Sequence, residues 1–170
     1  MHRLSLLILS VLLSTHTVFA QSDFFNSVSR NFREATGVNR ISIPGSIFKM
    51  VGSGESQNPE IEIFSFVEQM SFLTIPNRQI EKKNLNFNKL LQKAESGGFD
   101  EYLRVTEKQN LIRLYVKEDK NRINNVLFII KNGQANTAII DFTCDLPKKK
   151  LREFVKTVRS KNLENGNFNF

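Results

Sequence analysis

From Tyr102 to Lys117 the chain alternates apolar and polar residues with a period of two, and two further apolar-rich runs flank Lys131-Asn132-Gly133-Gln134. In an extended backbone successive side chains point to opposite sides, so a stretch of this kind buries one face only if neighbouring strands extend that face. The segments "YLRVTEKQNLIRLYVK", "NNVLFII" and "ANTAIIDFTCDL" supply four such strands, with "EKQN" as the first turn. Asn-Gly between alternating runs is the strongest short-range hairpin signal, because the tight turn that matches strand twist needs positive φ at its centre. The pattern predicts a four-strand antiparallel meander.

Residues before and after the meander read mainly as its cover. "DFFNSVSRNFREATG" sets Phe24, Phe25, Val28 and Phe32 on one helical face and ends at Gly37, which predicts an N-terminal amphipathic helix over 21–36. Its polar face is not strongly basic, so packing against the domain is expected rather than docking on a membrane. "VNRISIP" reads as a strand and "SIFKMV" as a short helix. "GSGESQNP" is expected to be a mobile connection; it lacks the Lys-Ser/Thr and the preceding strand that a phosphate-cradling loop requires. Asn58 then caps a helix running "PEIEIFSFVEQM" with Ile61, Phe64 and Val67 inward, and "SFLTIP" is a strand. "NFNKLLQKAESGG" gives a helix through Phe87, Leu90, Leu91 and Ala94. Pro147 opens a last helix with Asp145 as its N-cap, an apolar stripe at Leu151, Phe154, Val155 and Val158, and a basic opposite face. The expected fold is α+β: one domain over 37–159, an antiparallel, mostly meander sheet with helices packed on one face, and a disordered tail over 160–170.

The first twenty residues, "MHRLSLLILSVLLSTHTVFA", open with a basic residue, continue through an apolar run and end in Val18-Phe19-Ala20, the pattern of an export signal cleaved near Ala20. The apolar run from Leu4 to Leu13 is about half the ~20 residues that a membrane span needs. No cysteine follows it to be acylated, so the expectation is a periplasmic or secreted protein, not a lipoprotein, with no transmembrane segment in the mature chain. Cleavage removes both histidines, His2 and His16. Without imidazole the mature chain has no side chain that titrates near neutrality unperturbed, which excludes histidine bases, histidine-ligated metals and Ser-His-Asp catalysis.

The order of these elements, with "SIFKM", "MSFLTIP", "FDEYLRVTEK", "IRLYVKED" and "NVLFIIKNGQANTAIIDFTCDL" between an export signal and a final helix, resembles exported proteins of Bacteroidota grouped as domain of unknown function 4252. The resemblance spans roughly Phe24 to Thr157 and rests on segment order and hairpin texture rather than on a catalytic signature. It implies an envelope setting and no established activity, substrate or site.

The remaining chemistry is sparse. Cys144 is the only cysteine; Asp145 beside it raises a thiol's pKa, and its alternation partners Ala138, Ile140 and Phe142 are apolar, so it is expected to face inward with them. The acids are scattered on outward positions, and Asp141, inside a strand, is expected to point outward opposite Ile140. Neither a glycosidase carboxylate pair nor a calcium loop emerges. Catalytic, cofactor-binding and metal residues are therefore none, and no cofactor is expected. Lys148, Lys149, Lys150, Arg152, Lys156 and Arg159 are the candidate anion or partner contact. Three lysines at a helix start oppose the helix dipole, and a held anion would compensate them. The expectation is a non-catalytic envelope component that binds or regulates an envelope protein. The alternative is a module that binds anionic glycan or lipid through the basic C-terminal helix. Export removes nucleic acid as a partner, and no aromatic residues interleave the lysines.

Overall fold

The computed structural model describes residues 22–52 and 62–153. Helix α1 (Asp23–Asn31) leads into β1 (Asn39–Pro44) and α2 (Gly45–Gly52); a 3₁₀ turn (Ile63–Phe66) then enters β2 (Val67–Pro76). Helices α3 (Asn77–Lys82) and α4 (Phe87–Ser96) precede the meander β3 (Asp100–Glu107), β4 (Asn110–Asp119), β5 (Arg122–Asn132) and β6 (Asn136–Pro147), and residues 148–153 are helical. All six strands form one antiparallel sheet in the order β1-β2-β6-β5-β4-β3, so β6 closes the meander onto the earlier β1-β2 pair.

The α+β architecture follows the sequence pattern, and the differences have local causes. Val67 to Met70, expected to be helical, are the start of β2, whose partner β6 offers an apolar row for Val67, Met70 and Phe72 to match. β-branched and aromatic residues against such a row favour the strand over the helical period. The expected Asn58 cap lies outside the described residues. Helix α3 follows Pro76 directly, although no helix is predicted there; Asn77 replaces a side-chain cap by tertiary bonds, donating to Gly133 O at 3.2 Å and accepting from Thr137 Oγ1 at 2.8 Å.

One face of the sheet carries the main core. Phe24, Phe25, Val28 and Phe32 of α1 and its C-terminal turn meet Leu90 and Ala94 of α4 and Ile80 of α3. Beneath them lie Leu73, Ile75, Tyr115, Leu127, Ile129 and Ile139. The amphipathic helix α1 therefore packs into the domain, capped by Ser22, whose hydroxyl accepts from Phe25 N at 3.2 Å.

The opposite face is apolar too. A register shift between Ile123 and Asn125 turns Ile123 to this side, where it clusters with Leu114, Val116, Val126, Cys144, Leu146 and Leu151. The 3₁₀ turn and residues 148–153 cover only that end of the face, through Ile63, Phe66 and Leu151. Gly45 joins α2 to this end so tightly that a Cβ there would lie 2.5 Å from the Glu68 carbonyl oxygen, which reserves the position for glycine.

Candidate functional site

Three places in the fold carry groups that could bind or react: the lysine run, the interior of β6, and the uncovered end of the second sheet face.

The lysine run does not stand free. Lys148 pairs with Glu118; Lys150 Nζ lies 2.8 Å from Glu62 Oε2; Lys149 Nζ lies 3.8 Å from Glu153 Oε1, one turn on. Glu62 in turn holds the Lys150 ammonium above its ordinary pKa. Arg152 is exposed, whereas Lys156 and Arg159 lie outside the described residues. Asp145 does not cap the helix as expected: β6 continues to Pro147, and Asp145 is exposed and paired with Arg122. The compensating anions at this helix start are the chain's own carboxylates.

Within β6 the two sides are exchanged relative to the expectation. Ala138, Ile140, Phe142 and Cys144 share a face, but it is the second, partly open one; Thr137, Ile139 and Asp141 face the helix-covered core. Asp141 is thus not outward but 1 % exposed. Its Oδ2 accepts from Ser22 N at 3.1 Å and from Ser22 Oγ at 2.8 Å, and its Oδ1 accepts from Asn125 Nδ2 at 3.3 Å. The carboxylate sits at the positive end of α1 and ties the helix start to the middle of the sheet. Burial pushes its pKa above the ordinary carboxylate range, while the bonds from Ser22 and Asn125 oppose that rise.

Cys144 is buried as expected; its Sγ donates to Ile123 O at 3.3 Å, and burial pushes the thiol up to about 12, so it stays protonated at neutral pH. Tyr115, fully buried on the core face, donates through its hydroxyl to Glu95 Oε1 at 3.1 Å, and burial pushes its phenol upward. Beside it Arg113 donates through Nη1 to the carbonyls of Val105 and Ile112, each at 3.0 Å, while Glu101, held below the ordinary range by its bond to Arg104, lies 3.7 Å from Arg113 Nε. Arg113 Nε itself is buried without a hydrogen-bond partner and has only the charge of Glu101 nearby.

The second face has a continuous pattern. Ile41, Phe72, Ile140, Phe128, Leu114 and Leu103 stand side by side across all six strands. The next row adds Ala138, Ile130, Ile112 and Val105, every one of them only half-buried, and Ile41 is 53 % exposed. Where cover is present, a wholly apolar cavity of about 170 Å³ remains between Phe64, Leu151 and the Phe128–Phe142 pair, whose rings meet edge to face at 6.2 Å. The alternation of β4, β5 and β6 contains the signal for this surface: both parities are apolar, as in "VLFII" and "TAIIDF", whereas a one-sided sheet needs only one.

Among the described residues no three His, Cys, Asp or Glu side chains come together in a metal-binding group, and no helix is long and apolar enough to cross a membrane. The family model described as Domain of unknown function (DUF4252) matches residues 32–154. No curated protein and no solved structure matches the chain.

Proposed function

Because the chain belongs to the family described as Domain of unknown function (DUF4252), a description that names no activity, we propose its function from its surface: a non-catalytic component of the bacterial envelope that binds a protein partner through the open end of the second sheet face. The observation that carries this reading is the apolar row from Ile41 to Leu103, in which Ile41 is exposed, Leu114 is buried and the others are only half-buried. Contiguous exposed apolar surface of this kind costs solubility and is the hallmark of an interaction site. The occupant is an amphipathic helix of an envelope protein. The covered end is already sealed in that manner, by Leu151 from the helical residues 148–153 and by the 3₁₀ turn, and a partner helix would continue the same packing along the face. Cleavage at the expected site after Ala20 would leave Ser22, buried and bonded to Asp141, in place at the start of helix α1.

The test is a photo-cross-linking residue placed at Ile41 or Ile112, with Gln92 on the exposed side of α4 as the control position. In the native envelope, cross-links to one protein from Ile41 and Ile112, absent from Gln92 and lost in the Ile41→Lys background at position 112, are expected. Equal capture from Gln92, or cross-links only within the chain or to a second copy of it, would overturn the reading.

A further inference from the structure

Two basic surfaces of the molecule differ in what balances their charge. Lys148 and Lys150 each hold a carboxylate, as described above. Arg30 and Arg33 at the end of α1, and Lys82 and Lys83 at the end of α3, instead converge on one cleft of about 600 Å³ whose wall also includes Gln79 and a lone acid, Glu34. Among the described residues none of these four cations forms an ion pair. Helix C-termini carry partial negative charge that favours a basic residue in the last turn, which accounts for Arg30 and Lys82. Arg33 and Lys83 lie beyond those last turns, and gathering like charges in one concavity raises its positive potential and favours an anion there.

The cleft is also held in shape. Gln79 Nε2 donates to Thr36 O at 3.2 Å, which ties α3 to the turn that follows α1. Guanidinium groups present paired donors that match phosphate oxygens, and lysines add point charges beside them.

We propose that this cleft, formed by Arg30, Arg33, Lys82 and Lys83, is a phosphate-binding site that takes a phosphorylated ligand, independent of the apolar sheet face. Lys148 and Lys150 of the C-terminal run hold carboxylates, whereas among the described residues these four cations hold none. The phosphate could belong to a lipid headgroup or to a soluble molecule, and the chemistry of recognition is the same.

The full chain is titrated with inorganic phosphate while the side-chain amide of Gln79 is followed by nuclear magnetic resonance. In parallel, phosphatidylcholine vesicles with and without phosphatidylglycerol are tested for co-sedimentation. Phosphate is expected to shift the Gln79 amide. Arg33→Glu with Lys83→Glu should weaken binding about tenfold, the scale of one lost charge-assisted hydrogen bond. Lys149→Glu with Arg152→Glu, an equal change in net charge, should weaken it less than about twofold, as expected for a long-range, screened contribution. The neutral pair Arg33→Gln and Lys83→Gln should fall between, and guards against misfolding of the reversed variant. Co-sedimentation only with phosphatidylglycerol, lost in the Arg33/Lys83 variant, identifies a lipid source; phosphate binding without co-sedimentation identifies a soluble one. Equal losses in the two charge-reversed variants, or no perturbation of Gln79 by phosphate, would overturn the proposal.

Discussion

Ile129 and Ile130 are adjacent in β5, identical in chemistry and on opposite faces of one sheet; Ile129 is fully buried beneath α1 and α4, while Ile130 is only half-buried on the second face. The difference lies entirely in what covers each face. Three helices enclose the first, and a 3₁₀ turn and the start of one helix reach only the end of the second. A sheet apolar on both sides has two equal demands for burial, and this chain meets one of them within the described residues. The comparison separates the residues that hold the fold from those left partly open to water.

The largest expected effect contrasts the two isoleucines directly. Ile129→Ala should cost about 2–5 kcal/mol of unfolding free energy, since it removes buried methyl groups and leaves a cavity in a packed region. Ile130→Ala should cost about 1 kcal/mol or less, because water already reaches that position. Urea denaturation of the two variants side by side checks this; equal losses would mean that the second face is as fully covered as the first.

A smaller effect is expected at the two acids of β6. Asp141→Ala strips the acceptor from Ser22 N, Ser22 Oγ and Asn125 Nδ2, and leaving buried donors unpaired costs about 1–3 kcal/mol. Asp145→Ala, which removes an exposed pair with Arg122, should change stability by about 1 kcal/mol at most. A similar loss in both would show that the Asp141 anchor is not buried as described.

The same two acids mark the limit of what the sequence reveals. Alternation placed the strands from Asp100 to Pro147 and the turn at Gly133, because period and turn chemistry are local properties. It also put Cys144 with Ala138, Ile140 and Phe142 on one side, as found. It could not say which side was the core, because both parities of β5 and β6 are apolar and only the docking of α1 decides. From alternation alone Asp141 is an outward acid. Its partner Ser22 is 119 residues away, and no local pattern carries a pairing of that range. The engaged state of the lysine run was hidden for the same reason: Lys148 and Lys150 meet Glu118 and Glu62 through the fold, not through helix spacing. The basic cleft joins residues from two helices about 50 positions apart, and its four cations are unremarkable in either segment alone.

Asp141 also predicts a pH effect confined to the covered face. Its folded pKa lies above the ordinary value of 3.8, so between those two values the native state binds more protons than the unfolded chain. Stability from this group is greatest below 3.8 and falls as pH rises through the folded pKa. Other carboxylates pull the opposite way; Glu101, held below the ordinary range, favours the native state as pH rises. The difference between the wild type and Asp141→Asn isolates the first contribution: the wild type should lose stability relative to the variant on going from acid towards neutral pH. A constant difference across that window would mean that Asp141 is solvated in the native state.

The smallest expected effect on stability belongs to the residue most exposed on the open face. Ile41 lies on β1, at the edge of the sheet, paired only with β2 and about half open to water. Ile41→Lys exchanges that exposed apolar surface for a solvated ammonium and should shift the unfolding free energy by about 0.5 kcal/mol or less, as for other substitutions away from packed sites. A charge at the end of the apolar row would nonetheless have to be desolvated by any helix laid along it, an uncompensated cost of several kcal/mol if it were fully buried. Unchanged thermal stability together with loss of the cross-linked partner would therefore separate binding from folding on this face. A large loss of stability in Ile41→Lys would show that the row contributes to the core after all, and would remove the distinction between Ile129 and Ile130 on which the binding reading depends.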